Sequence, residues 1–546
     1  MAGQSKKNVA YCLITFFVCI SLLTTQAFAL SIEQVMSSRQ SVRSYTNEDV
    51  TNQQLLDVLW AAYGYTGQQR NVPQIGVAHT LIIYTVNQTG SYRFVPETRS
   101  LVAHLLSVNK QAIRSYISSW PSDANEVLVI VWDETVMDNH YFACAEAGCL
   151  AQNVHLAAGS LDLGTCVIGS INDDGLRTVL QLSSTQTPLI IMPLGVPSDV
   201  VGVSSPKYEI MNGNLPQVQV STTSFEDALQ NIRYTQQLGS QSLSLQQGSQ
   251  LLWAAYGYSD ADHRTTPSAY GIYPLVVYVS NSTGVYKYLP ETHSVSKIQN
   301  GDKRSAIANA FSGQGWAATA PAIFVVGYDS SYGNSDGGVL AHLFMEVNTG
   351  CVIQQIILEA STQNLKTNVL SEGTEQWNGA AAQTLRTALG VSALIIPLYA
   401  VPVGTSDADL DAPTIGVPSQ NPSSDSVDQF QGVTVTVQVT DNGVGVKEVV
   451  LSYRSDAAQP WTNVTMTSNT ADTYTGEIQG YENGKYLQYK IVAIDHNNNV
   501  AIEDNTGQYY TYTVIPELEN LLLVLMFFVS STLCIFALRK TRKNRF

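Results

Sequence analysis

Basic side chains are scarce in this chain, with 28 Lys and Arg against 44 Asp and Glu in 546 residues and a formal net charge of -16. Five of those cations, Arg539, Lys540, Arg542, Lys543 and Arg545, crowd into the last eight positions, so the remainder is more acidic still. Phosphate backbones are held by basic faces, and no nucleic-acid partner is expected. Cysteine is scarce too, with seven in all. Cys12, Cys19 and Cys534 sit in apolar runs at the two ends, which leaves Cys144, Cys149, Cys166 and Cys351 without Cys-x-x-Cys spacing. That pattern excludes a cysteine-based metal framework, and no metal is expected. Cys149 and Cys351 each follow a glycine, at matching places of the repeat described below. A bridge between them is permitted and not required.

The ends read as targeting segments. Lys6 and Lys7, an apolar run from Val9 to Leu23 and then Ala27-Phe28-Ala29 follow the order of a cleavable signal peptide, residues 1–29. Leu521 to Leu538 is uncharged and long enough for a slightly short transmembrane helix, and the basic tail 539–546 behind it predicts a cytoplasmic C-terminus. The expectation is a single-pass protein of the cell membrane with its ectodomain outside. Sequons at Asn87, Asn281 and Asn463 suit that placement.

What the chain has is a repeat. Leu-Trp-Ala-Ala-Tyr-Gly-Tyr occurs at Leu59 to Tyr65 and again at Leu252 to Tyr258, and Pro96-Glu97-Thr98 returns as Pro290-Glu291-Thr292. Two tandem copies, residues 30–220 and 221–404, are predicted to pack as an intramolecular pseudo-dimer. Each mixes helix with buried strand: Asp49 to Tyr63 and the all-round apolar Tyr141 to Leu161 are helical, while Thr80 to Val86, Val127 to Trp132 and Leu189 to Leu194 are strands. The second copy follows with strands at Leu275 to Val279, Ala322 to Gly327 and Leu394 to Leu398, and a helix near Leu340 to Ala360. A linker, 405–431, leads to period-two alternation over 432–515, which resembles immunoglobulin-like or fibronectin-like β-sandwiches. Asp441 and Asp495 there read as solvated turn residues in preference to calcium ligands.

Arg39-Gln40-Ser41-Val42-Arg43 puts two guanidiniums and a hydroxyl on one side of an extended chain, a set that grips phosphate. Glu146-Ala147-Gly148-Cys149, then Leu163-Gly164-Thr165-Cys166, and Leu194-Gly195-Val196-Pro197 with Lys207 downstream follow in order. Together these resemble the nitroreductase superfamily, with its α+β FMN-binding fold. The resemblance implies that Arg39, Ser41, Arg43 and Lys207 hold the phosphate and ribityl end of FMN, with Gly164 and Thr165 near the ring. A further arginine often found near the Lys207 position is missing.

The second copy carries Arg264-Thr265-Thr266-Pro267-Ser268-Ala269-Tyr270-Gly271-Ile272-Tyr273-Pro274. This is similar to a stretch of the SagB-type (thiazoline/oxazoline) dehydrogenases, with the Ser268 to Gly271 spacing off by one residue. In that family Pro267, Ser268 and Gly271 would reach a flavin bound mainly by the other half. Tyr270, Tyr273 and, from a Lys207-Tyr208 pair, Tyr208 are candidates on the substrate side, and no catalytic residue is fixed. The losses are complementary. The first copy lacks the serine and Tyr-Pro of that stretch, whereas the second lacks Arg-x-Ser-x-Arg and has Lys366 in place of Gly164. One composite flavin site and an empty twin are therefore expected, in an FMN-dependent oxidoreductase acting on a small-molecule or peptide substrate. The alternative is a non-catalytic surface binding protein on a decayed flavin fold.

Overall fold

The computed structural model describes residues 30–516, apart from 119–122, 200–213, 261, 333–338, 372–378, 406–410, 442, 444, 458 and 471. The expected signal segment and the expected transmembrane helix at 521–538 lie outside the described residues, as do Lys207 and Tyr208. Among the described residues no helix is long and apolar enough to cross a membrane.

In the first copy, helices α1 (Ile32–Ser38) and α2 (Asn52–Tyr63) open with reciprocal caps. The hydroxyls of Ser31 and Thr51 accept from the backbone N–H of Gln34 and Gln54, whose amides reach back to the cap N–H groups. The long helix α3 (His140–Ser160) is buried continuously from Phe142 to Ala158, as its lack of a polar face demands. Six antiparallel strands, β1 (Leu81–Val86), β2 (Ser91–Val95), β3 (Ser100–Leu105), β4 (Glu126–Asp133), β5 (Gly164–Thr165) and β6 (Gln186–Gly195), form a sheet of order β3-β2-β1-β4-β6-β5. The second copy repeats the plan. It has helices α4 (Phe225–Gln230), α5 (Leu245–Tyr256) and α6 (Val339–Thr362), with strands β7 (Leu275–Asn281), β8 (Gly284–Leu289), β9 (Ser294–Asn300), β10 (Ala322–Asp329), β11 (Lys366–Thr367) and β12 (Ile395–Gly404). Their order, β9-β8-β7-β10-β12-β11, reproduces the first sheet strand for strand.

The two copies share one core, to which Tyr63, Leu150, Trp253 and Ile356 all belong. Its axis is the crossing of α3 and α6. A Cβ on Gly148 would stand 2.1 Å from the carbonyl oxygen of Val347, and one on Gly350 would stand 2.0 Å from that of Ala145. Only glycine admits such an approach. At that crossing Cys149 and Cys351 are buried free thiols. Each donates to the glycine carbonyl of the opposite helix, Cys149 to Gly350 at 3.2 Å and Cys351 to Gly148 at 3.3 Å. The permitted bridge is therefore not made.

The C-terminal part is two packed antiparallel sheets around Val435, Leu451, Tyr489 and Ile491. Thr414–Ile415 and Ser419–Asn421 pair with Val433–Thr440, so the sandwich begins inside the stretch read as linker. Its Ser, Asp and Pro content hid this, because an extended segment beside an open sheet edge satisfies its backbone groups there whatever its side chains. Asp441 and Asp495 accept from nearby backbone N–H groups and fasten their own turns.

Candidate functional site

The segment after α1 runs extended along the first sheet. The N–H of Val42 donates to the carbonyl of Thr165 at 2.9 Å, and that of Thr46 to Val196 at 2.8 Å. A Cβ on Gly164 would meet the Val42 side chain at 2.6 Å, so glycine is what lets the two backbones lie together. Between them opens a cleft of about 200 Å³, lined by Arg39, Gln40, Val42, His155, Gly159, Asp162, Gly164, Thr165, Pro197 and Asp199 among others.

The cleft walls hold polar atoms that the protein leaves unmatched. Arg39 is only 6% exposed. Its Nη2 donates to the carbonyl of Arg264 in the second copy at 3.3 Å, while its Nε and Nη1 are buried without a partner. Thr165 Oγ1 and His155 Nε2 are likewise buried and unpartnered. Orphaned buried donors cost stability unless a ligand answers them. Burial lowers the pKa of Arg39 from its ordinary value, and Tyr273, Cys351 and Asp260 act the other way. Burial, then Arg39 and Arg43, push His155 well below the usual range, so its imidazole is neutral.

The predicted residues are only partly brought together. Arg39, Gly164 and Thr165 line the cleft. Ser41 is half-buried beside it, and Arg43 is exposed with its guanidinium on the carbonyl of Ser41. From the second copy the approach is made by backbone. The carbonyl of Thr265 accepts from Gln152 at 3.4 Å and Gln355 at 2.9 Å, one amide from each central helix. Gln354 and Asn153 hold the carbonyl of Asn71 in the same way, the pseudo-two-fold counterpart. Pro267, Ser268 and Gly271 are not among the residues lining the cleft. Ser268 Oγ accepts from the N–H of Tyr273 at 3.0 Å and from Asn348 at 3.4 Å, which fixes the loop. Tyr270 and Tyr273 flank Gly271 in the left-handed region, at φ 57 and 54. Tyr270 is 72% exposed and sets its ring edge on Phe344, which in turn packs on Gly169 of the first copy. In the sequence alone His155, inside an apolar helical run, reads as a packed residue, and no local signal sets it apart.

The twin position carries different side chains. The Thr235 N–H donates to Thr367 as Val42 does to Thr165, which sets Ile232 opposite Arg39, Tyr234 opposite Ser41 and Lys366 opposite Gly164. Tyr234 lies beside Cys149, much as Arg39 lies beside Cys351. Ser361, opposite Gly159, donates to the carbonyl of Ala228 in α4 at 2.7 Å. Arg233 meets Asp411, from the stretch leading to the sandwich, at 3.6 Å.

Comparison with known proteins agrees with this architecture. The sequence profile described as Nitroreductase family matches residues 36–196 and again 233–405. A Methanocaldococcus jannaschii protein described as a nitroreductase is 32% identical over 183 residues, covering 30% of this chain and 91% of that protein. A solved structure of a protein described as a nitroreductase from Anabaena variabilis covers 66% of this chain and 90% of its own. Its TM-score is 0.55 at 16% identity, a shared fold over more than one copy. A duplicated sheet order, a shared helix crossing and two separate profile matches have one meaning: the chain belongs to the nitroreductase family and carries its α+β domain twice in tandem.

Proposed function

We propose that this protein is an FMN-dependent oxidoreductase of the SagB-type branch, with one composite flavin site between its two copies and no second one. The observation that carries the reading is the cleft itself, where Arg39 Nε and Nη1 and Thr165 Oγ1 are buried without partners. Its charges suit FMN in particular. Guanidinium donors answer a phosphate, while the carboxylates of Asp162 and Asp199 can accept from a chain of hydroxyls such as ribityl.

When bound, FMN supplies two-electron hydride transfer at its N5. This chain's residues do the rest. Arg39, with Ser41, Arg43 and Lys207, would hold the anionic end, and the Gly164-Thr165 backbone gives room beside it. The second copy meets the site from across the pseudo-axis through the Arg264 carbonyl on Arg39, and Tyr270 offers an exposed ring to a small-molecule or peptide substrate. The acidic balance and terminal apolar runs support an ectodomain held outside the cell membrane, with the immunoglobulin-like sandwich between head and anchor.

The test is flavin stoichiometry after heat release from the purified protein. One FMN per chain is expected, with loss of at least about tenfold in affinity for Arg39→Ala. Two FMN per chain would refute the single site, and none after reconstitution would leave a binding protein on a flavin fold.

A further inference from the structure

His155 is a histidine where the fold asks for an aliphatic residue. The central helices match turn by turn, with Gly148 opposite Gly350, Cys149 opposite Cys351 and Gln152 opposite Gln354, and on this register the counterpart of His155 is Ile357. Ile357 is 1% exposed and packs in the shared core. His155 is equally enclosed, at 4%, yet its Nε2 faces no protein partner and its ring lines the same cleft as Arg39 and Thr165. A buried imidazole nitrogen left unmatched in place of a packed isoleucine costs free energy. The asymmetry follows the other differences between the halves: Arg39 against Ile232, Gly164 against Lys366, and Gly159 against Ser361. In each pair the first copy keeps polarity or space and the second fills it.

We propose that His155 selects for the phosphorylated form of the ligand, its neutral imidazole donating from Nε2 to an anionic oxygen held by Arg39. This rests on the flavin reading above and adds a residue and a specificity to it. A neutral donor suits the place. Arg39 and Arg43 already supply positive charge, and a third cation there would be repelled by both. The same neighbours orient an incoming anion toward the imidazole N–H and disfavour protonating the ring beforehand. The carboxylates of Asp162 and Asp199 can take the hydroxyls, which leaves the imidazole for the phosphate.

The experiment compares FMN with riboflavin, which lacks only the phosphate. The full chain, stripped of flavin, is titrated with each by fluorescence quenching, as wild type, His155→Ile and His155→Gln. For His155→Ile the expected result is FMN affinity down about 10- to 100-fold with riboflavin affinity unchanged, and for His155→Gln, which keeps a donor, FMN affinity within a few-fold of wild type. Unchanged riboflavin binding also shows that the variant is folded. The proposal is overturned if His155→Ile binds FMN like wild type, or if both flavins weaken alike. Wild type that binds neither flavin sinks the flavin reading itself, and this proposal with it.

Discussion

Glu33 and Glu359 are both fully buried, one on α1 and one on α6. Glu33 Oε2 accepts from the N–H and hydroxyl of Ser221, and Glu359 Oε1 from Gln250 and Gln363, while Glu33 Oε1 and Glu359 Oε2 have no partner. Burial, and then Glu33, push Glu359 from 4.5 up to about 8. The folded chain thus keeps this proton while the unfolded chain loses it, so stability falls as pH rises through the window from 4.5 to about 8. Glu359→Gln should remove that slope: little change at pH 5, and a gain on the order of 2 kcal/mol at pH 8 in denaturant titration. A variant that loses stability equally at both pH values would contradict this. Such a pair was not legible in the sequence, since Glu33 and Glu359 are 326 positions apart and each looks like an ordinary helix glutamate. Arg39 and Thr165 were legible because their spacing carries a family pattern. His155 was not, because a histidine within an apolar helix reads as packing until Ile357 is set opposite it.

At the scale of elements, the crossing of α3 and α6 is the joint on which the pseudo-dimer turns. Gly148→Ala would drive a methyl into the Val347 carbonyl and the Gly350 Cα, backbone atoms that cannot swing aside. Urea unfolding should show a loss of about 3 kcal/mol or more; a neutral result would mean the helices can part there at no cost. The long helices and most central strands were read from the sequence to within about three residues of their ends, as their apolar runs are continuous, whereas β12 runs on to Gly404, well past the Leu394 to Leu398 expected. Hairpin strands such as β2 and β3 were not, because Tyr92-Arg93-Phe94 and Ala103-His104 alternate polar and apolar residues over too few positions to stand out from a loop. Most side chains there are at least partly exposed, and pairing of β2 to β1 and of β3 to β2 holds them, a contact between strands that neither strand's own pattern records.

On the scale of the whole molecule, the sandwich rests against the first copy. Gly67, in the turn between Tyr65 and Arg70, has φ 60, and a Cβ there would meet the carbonyl of Val500 at 2.9 Å. The Asp411 carbonyl accepts from Asn499 while its carboxylate meets Arg233. Gly67→Val is expected to dislodge the sandwich, because a β-branched residue fits neither that backbone nor that gap. Small-angle scattering should then report a larger radius of gyration; an unaltered profile would mean that this contact does not set the arrangement. The connection between the copies is as closely tied. Ile32 N–H donates to Thr223, Ser31 pairs with Ser224, and Ser221 is held by Glu33. Two such copies on separate chains would depend on concentration, and at high dilution they would drift apart. Here the partner is always on the same chain, at an effective concentration that no dilution lowers, so the pairing of the two copies survives down to a single molecule.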